Sequence, residues 1–286
     1  MVWNDALEKS SREYSELAGS YDTRTEEWYA FLPEAVRDIF VNDAKYHKRR
    51  YLDLLKIPYG PRVIELGSDK PIISHYLRLL NPGSEFFTIS IDIPHSPYPI
   101  IPLDIEAEEF PFADESISDI IFTEVLEHLF RNPSWTVFQM NRVLEPSGRL
   151  VLTTPNACGY DVFQNILFQR NPNERNQFYA AMESGHPHLW TAGELGQLLE
   201  VHGFQIGELS TVDYYDIPVH EEAFKCLENF SVNPSLHGQV LRVVAHKADK
   251  IAGPQYPKEL FPEGKPVEYR GALKRWIERC KASPAS

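Results

Sequence analysis

The chain has 286 residues, 43% of them apolar, enough to bury a substantial core in one large domain or two small ones. Lys and Arg number 28 against 41 Asp and Glu, and the net charge of −13 repels polyanions, so nucleic acid is not expected as a partner. Cys158, Cys226 and Cys280 lack C-x-x-C spacing, no apolar run approaches the ~20 residues of a membrane span, and no targeting signal opens the chain; a soluble protein of a reducing cytoplasm, without a membrane partner, is expected.

Residues 1–60 read as helical, with a loop at Gly19-Ser-Tyr-Asp-Thr23 and a longer helical segment from Pro33 toward Leu55. Residues 1–44 are taken as an arm or lid ahead of a core spanning 45–248, and 249–286 as a tail with a helix from Tyr269 to Lys281. Trp28, Tyr29 and Phe31 either pack the arm down or cover a substrate. From Arg62 the pattern alternates strand and helix, which argues for a mostly parallel sheet wrapped by helices.

The first strand, Val63, Ile64 and Leu66, runs into a turn at Gly67, the residue there that takes positive φ freely. A helix from Pro71 to Leu80 and a second strand from Glu85 to Ile93 follow, then a short strand near Ile100 and a fully apolar one from Ser118 to Thr123. Glu124 to Phe130 is expected to be helical. Asn132-Pro133 caps a helix reaching Leu144, Glu145-Pro-Ser-Gly148 is a turn, and Arg149 to Thr154 is the fifth strand. Residues 157–189 form an insertion with helices around Val162 to Phe168 and Glu174 to Met182. Thr191-x-x-Glu194 opens a capped helix ending at Gly203, and Phe204 to Tyr215 and Gln239 to His246 make a final strand pair around a second insertion, 217–236, with a helix at Glu221 to Phe230.

In this order, Glu65-x-Gly67, Asp92 closing the second strand, Leu103-Asp104 before Phe110-Pro-Phe112, Glu124-Val-Leu-Glu-His128, Arg142-Val-Leu-Glu-Pro-Ser-Gly148 and Leu150-Val-Leu-Thr-Thr-Pro-Asn156 resemble the class I S-adenosylmethionine-dependent methyltransferases. The resemblance implies a Rossmann-like three-layer α/β/α sandwich with a seven-stranded, mostly parallel sheet and an antiparallel final strand pair. It implies S-adenosylmethionine as cofactor and a small-molecule acceptor. Asp92 would take the ribose hydroxyls with Ile93 beside it, Asp104 the adenine amino group with Ile105 against the ring, and Gly67 and Ser68 the methionine part, with Glu65 orienting the turn. Thr123 and Tyr21, the latter in a loop crossing the cofactor, complete that set. The turn departs from the family at Asp69 and Lys70, where glycine is usual, so a protein that binds without transferring is the alternative to an enzyme.

On a helix, Glu124, Glu127 and His128 would share a face, and with His188, chosen over His186, they would hold magnesium, manganese or zinc. The Glu-x-x-Glu-His element is similar to that of the ubiquinone-biosynthesis O-methyltransferases and the small-RNA 2′-O-methyltransferases, which methylate one of two adjacent hydroxyls. The acidic charge disfavours RNA and leaves a vicinal diol or catechol. Without a metal, His128 or His188, supported by Glu127, would act as general base.

Overall fold

The computed structural model describes residues 2–68, 72–91, 96, 98–172, 185–230, 234–262 and 264–265. Expectations for Asp69, Lys70, Asp92, Ile93 and the helices at 174–182 and 269–281 lie outside the described residues. The strands form one seven-stranded sheet, in the order β3-β2-β1-β4-β5-β7-β6, and the chain divides into two compact units, Met1–Pro102 and Leu103–Ser286.

In the first unit, α1 (Val2–Trp28) leads through a short 3-10 turn (Tyr29–Phe31) to α2 (Glu34–Tyr46) and α3 (Lys48–Leu54). Then come β1 (Arg62–Leu66), α4 (Ile72–Leu80), β2 (Glu85–Ser90) and β3 (Ile100–Pro102). The three strands are parallel, with Val63 opposite Phe86 and Thr88 opposite Ile100. The loop expected at Gly19–Thr23 is absent, because α1 runs straight through it. A glycine inside a helix costs about 1 kcal/mol, less than burial of one large side chain returns. Tyr21, fully buried, supplies that burial: its hydroxyl donates to Ala44 O at 3.2 Å and its ring lies 5.3 Å from Tyr76. Thr25 Oγ1 is 3.0 Å from the Tyr76 hydroxyl, so the arm is fastened to α4 by polar as well as apolar contact.

At the end of α1 the Trp28 ring meets His75 edge-on at 4.2 Å, and His75 Nδ1 lies 3.0 Å from the Tyr98 hydroxyl. Burial, with smaller contributions from Arg24 and Arg78, lowers the His75 pKa from 6.5 to about 4.

The second unit holds β4 (Ile117–Thr123), a 3-10 turn (Leu126–His128), α5 (Pro133–Val143), β5 (Leu144–Pro155) and α6 (Tyr160–Leu167), then α7 (Ala192–Val201), β6 (Phe204–Val212), α8 (Glu221–Phe230) and β7 (Val240–Lys247). β4 pairs parallel with β5 and is buried along nearly its whole length, as an apolar run covered on both faces must be. β7 runs antiparallel to both β5 and β6. The expected turn at Glu145–Gly148 lies within the span of β5: Ile117 pairs with Leu144 and Asp119 with Arg149, so residues 145–148 loop out of the pairing, with Ser147 at φ 63°.

Local signals place the helices. Asn132 Oδ1 accepts from Trp135 N at 3.1 Å with Pro133 following, and Thr191 and Glu194 make the reciprocal capping box of α7. Gly203 ends α7 at φ 78°, where a Cβ would also stand 2.4 Å from Asp249 O. Next to it, His202 is fully buried; its Nδ1 pairs with Leu198 O at 2.7 Å and its Nε2 accepts from Gln255 N at 3.1 Å. The glutamate-to-phenylalanine stretch 124–130 is not an α-helix but a single 3-10 turn of three residues. No helix among the described residues is long and apolar enough to cross a membrane.

His75 gives a pH signature for the first unit. Its folded pKa lies below the unfolded value, so the unfolded chain binds more protons between about pH 4 and 6.5 and stability falls as pH drops through that window. Urea midpoints measured from pH 4 to 7 should show this slope, and His75→Phe should flatten it; an unchanged slope would place the His75 pKa near its ordinary value.

Candidate active site

At the carboxyl end of β1, Gly67 takes φ 75° and donates its N–H to Ile89 O at 2.7 Å, and Ser68 is buried behind it. A left-handed glycine followed by a small residue leaves backbone open to close approach, which fits the methionine part of S-adenosylmethionine. Glu65, buried on β1, accepts from Ser74 Oγ on α4, and Ser74 in turn lies 3.0 Å from Thr88 Oγ1 on β2. Its carboxylate therefore fixes the strand to the helix that leaves the turn. Tyr21 is a helical, fully buried residue and not part of a loop.

Asp104 and Ile105 follow β3 in the second unit. Both oxygens of Asp104 are engaged by Arg131, whose Nη1 donates to Oδ2 at 2.8 Å while Nη2 donates to Oδ1. A hydrogen bond from an adenine amino group would share one of those oxygens with a guanidinium. Ile105 is half-buried, and its carbonyl accepts from Thr136 Oγ1 on α5 at 2.9 Å.

The carboxyl ends of β4 and β5 gather the remaining residues. Thr123 pairs with Thr153, and the next residue, Glu124, still donates its N–H to Thr153 O at 2.8 Å. The chain turns there by placing Glu124 in the left-handed region at φ 54°, a conformation that costs a non-glycine residue roughly 1–2 kcal/mol. That turn sends the Glu124 carboxylate to Thr153 Oγ1 at 2.8 Å and the Glu127 carboxylate to Thr154 Oγ1 at 3.0 Å. Consecutive threonines on a strand point to opposite faces, so the Thr-Thr pair of β5 separates the two glutamates.

His128 sits beside Glu127, its Nε2 3.9 Å from Glu127 Oε1, and its Nδ1 lies 3.1 Å from Gly185 O. A carbonyl only accepts, so Nδ1 is the donor in this contact, which in a neutral ring leaves the lone pair on Nε2. The His186 ring meets His128 edge-on at 4.7 Å, and the ligand atoms of Glu127, His128 and His186 all lie within 4.8 Å of one another. This is the group of potential metal ligands found among the described residues. Glu124 and His188 are not in it: His188 Nε2 lies 3.6 Å from Glu194 Oε1 and its ring packs edge-on against Trp190. The neighbouring imidazole on the Gly185–Trp190 segment, His186, takes the place expected of His188. No spacing rule separates two histidines of an irregular segment. Arg131, the partner of Asp104, was likewise invisible, because residues 27 apart on two loops leave no periodic trace.

The family described as methyltransferase domain matches residues 40–209. Among solved structures, a chain of the complex between the Haloferax volcanii Trm112 methyltransferase activator and its methyltransferase is similar at 14% identity and a TM-score of 0.50, covering 79% of this chain and 98% of that one. A S-adenosylmethionine-dependent methyltransferase from Archaeoglobus fulgidus is similar at 18% identity and a TM-score of 0.50, covering 73% and 99%. At these identities the likeness is one of fold. No curated protein matches the chain.

Thr154 offers a direct check of the buried carboxylate. Glu127 is 1% exposed, so Thr154→Val, which removes its hydroxyl donor at nearly constant volume, should cost about 1–3 kcal/mol in chemical denaturation. A loss below about 0.5 kcal/mol would mean that the hydroxyl contributes little to holding Glu127.

Proposed function

The chain belongs to the methyltransferase-domain family, and from that premise we propose that it methylates a hydroxyl oxygen of a small molecule, with His128 as general base. The observation that carries this reading is the pair of contacts on His128: Nδ1 lies 3.1 Å from Gly185 O, to which it donates, and Nε2 stands beside the buried Glu127 carboxyl group. When bound, S-adenosylmethionine supplies a methyl group on a sulfonium, so that the C–S bond breaks as the acceptor C–O bond forms and the electron pair stays on sulfur. His128 Nε2 takes the hydroxyl proton. The Gly185 carbonyl and the Glu127 carboxylate then stabilise the positive ring.

Gly67 and Ser68 are the residues suited to the methionine part, with Ile105 and the loop from Asp104 assigned to the adenine side. Asp92 and Ile93 keep their assignment to the ribose as part of this proposal. The alternative of binding without transfer rests on Asp69 and Lys70, whereas a histidine poised to accept a proton favours transfer. The acidic chain suits an uncharged or cationic acceptor.

A second reading is favoured by the grouping of Glu127, His128 and His186: one carboxylate and two imidazoles suit manganese or zinc better than magnesium, which prefers oxygen. The Nδ1–H bond of His128 to a carbonyl is the support that a metal-bound imidazole needs on its other nitrogen. A divalent ion there would lower the pKa of a hydroxyl and hold a vicinal diol or catechol.

Acceptors can be found by incubating the protein and S-adenosylmethionine with metabolite extracts and reading a one-methyl mass shift. With an acceptor in hand, His128→Ala should lower kcat by about 10²–10⁴-fold while calorimetric affinity for S-adenosylmethionine stays within about threefold. Activity unchanged in His128→Ala would remove it as the base. Chelation followed by manganese, zinc or magnesium add-back divides the two readings. The metal reading requires activity lost on chelation, and loss on His186→Ala but not on His188→Ala.

A further inference from the structure

The loop after β3 takes two carboxylates out of water, with the side chains of Asp104 and Glu106 only 6% and 4% exposed. One guanidinium meets both. Besides its fork onto Asp104, Arg131 donates from Nε to Glu106 Oε2 at 3.2 Å, and the backbone N–H groups of Arg131 and Asn132 each donate to Glu106 Oε1 at 2.7 Å. Burial raises the Glu106 pKa, opposed by these hydrogen bonds and by the Arg131 charge. The same loop is also held on α5, by Thr136 Oγ1 to Ile105 O and by Trp135 Nε1 to Glu108 O at 3.0 Å.

Arg131 stands three residues after His128, in the short connection between the 3-10 turn and α5. Its contacts therefore join the segment that carries Glu127 and His128 to the loop that carries Asp104 and Ile105. A buried ion triad contributes little net stability compared with apolar packing of the same volume, but its geometry is fixed by a planar fork that lysine cannot reproduce. We infer that Arg131 is a positioning residue, which sets the placement of His128 and of the 104–108 loop together. The inference rests on the proposed roles of His128 and of that loop.

Two variants test it. Arg131→Lys keeps the charge and loses the fork. The triple variant Arg131→Met, Asp104→Asn, Glu106→Gln removes the buried charges together, so that no carboxylate is left buried and unpaired when the guanidinium goes; because Asp104 is itself assigned to the adenine side, this variant is read by melting temperature and amide exchange. For both, amide hydrogen exchange over residues 126–132 and melting temperature are measured, and for Arg131→Lys also calorimetric Kd for S-adenosylmethionine and kcat. Arg131→Lys should weaken S-adenosylmethionine binding by about fivefold or more, speed exchange at the Arg131 and Asn132 amides, and lower kcat by about tenfold or more. The triple variant should melt closer to the wild type than Arg131→Met alone, while exchange at residues 131 and 132 stays fast. Wild-type Kd and kcat in Arg131→Lys, or wild-type exchange at residues 126–132 in the triple variant, would overturn the inference and leave Arg131 a structural residue. Should the wild-type protein bind S-adenosylmethionine yet methylate no hydroxyl, the proposed reaction fails alone, and Kd with amide exchange still decides the role of Arg131.

Discussion

At 1% exposure the Glu127 carboxyl group is cut off from solvent, so its oxygens must be met by groups fixed in the fold. Thr154 on β5 provides a hydroxyl donor, and the His128 ring stands beside the carboxyl group, with Nε2 3.9 Å from Glu127 Oε1. Both depend on the path of the chain as it leaves β4. Glu124 extends the pairing of β4 by one more hydrogen bond to Thr153 before turning, and it does so in a left-handed conformation that favours glycine or asparagine. Strain at that position, opposed by the Thr153 hydroxyl bond to its carboxylate, is what aims Glu127 inward and His128 toward Gly185.

The sequence made the regular parts of this arrangement legible because they rest on local rules. A short strand carrying Val63, Ile64 and Leu66 and followed by Gly67, Asn132 before Pro133, and Thr191 three residues before Glu194 each specify backbone geometry locally. Expectations failed where a distant partner overrides the local preference. Gly19 suggested a loop, but packing of Tyr21 under Ala44 and Tyr76 keeps α1 continuous. The helical spacing of Glu124, Glu127 and His128 suggested one shared face, but Glu124, tied to the Thr153 carbonyl, sits at φ 54°, outside the right-handed helical region. What remains of the turn is a single 3-10 piece, and Glu124 is directed away from the other two.

Buried charge in the second unit is arranged the same way on a larger scale. Arg131 takes both oxygens of Asp104, and Glu106 takes two backbone N–H groups at the entry to α5. These carboxylates act on the backbone as well as on the shared Arg131 guanidinium, so the irregular loop 104–108 behaves as an extension of the helix it touches. The family resemblance assigned Asp104 to the adenine amino group, and nothing in the sequence pointed to Arg131, because that partner lies on another loop. Only the folded chain shows that its first obligation is to a guanidinium.

The His202 latch acts through main-chain atoms of the segment after β7. Its Nε2 accepts from the amide of Gln255, not from a side chain, so the glutamine could be exchanged for most residues without touching the contact. Proline is the exception, since it has no N–H to give. Pro254 and Pro257 lie on either side. If the segment slipped by one residue so that Pro254 came under the imidazole, a buried lone pair would face a ring carbon, and the slipped alignment would be rejected. Pro254 thus bars a one-residue slip of the segment in that direction, while the identity of the residue that makes the contact is free to drift.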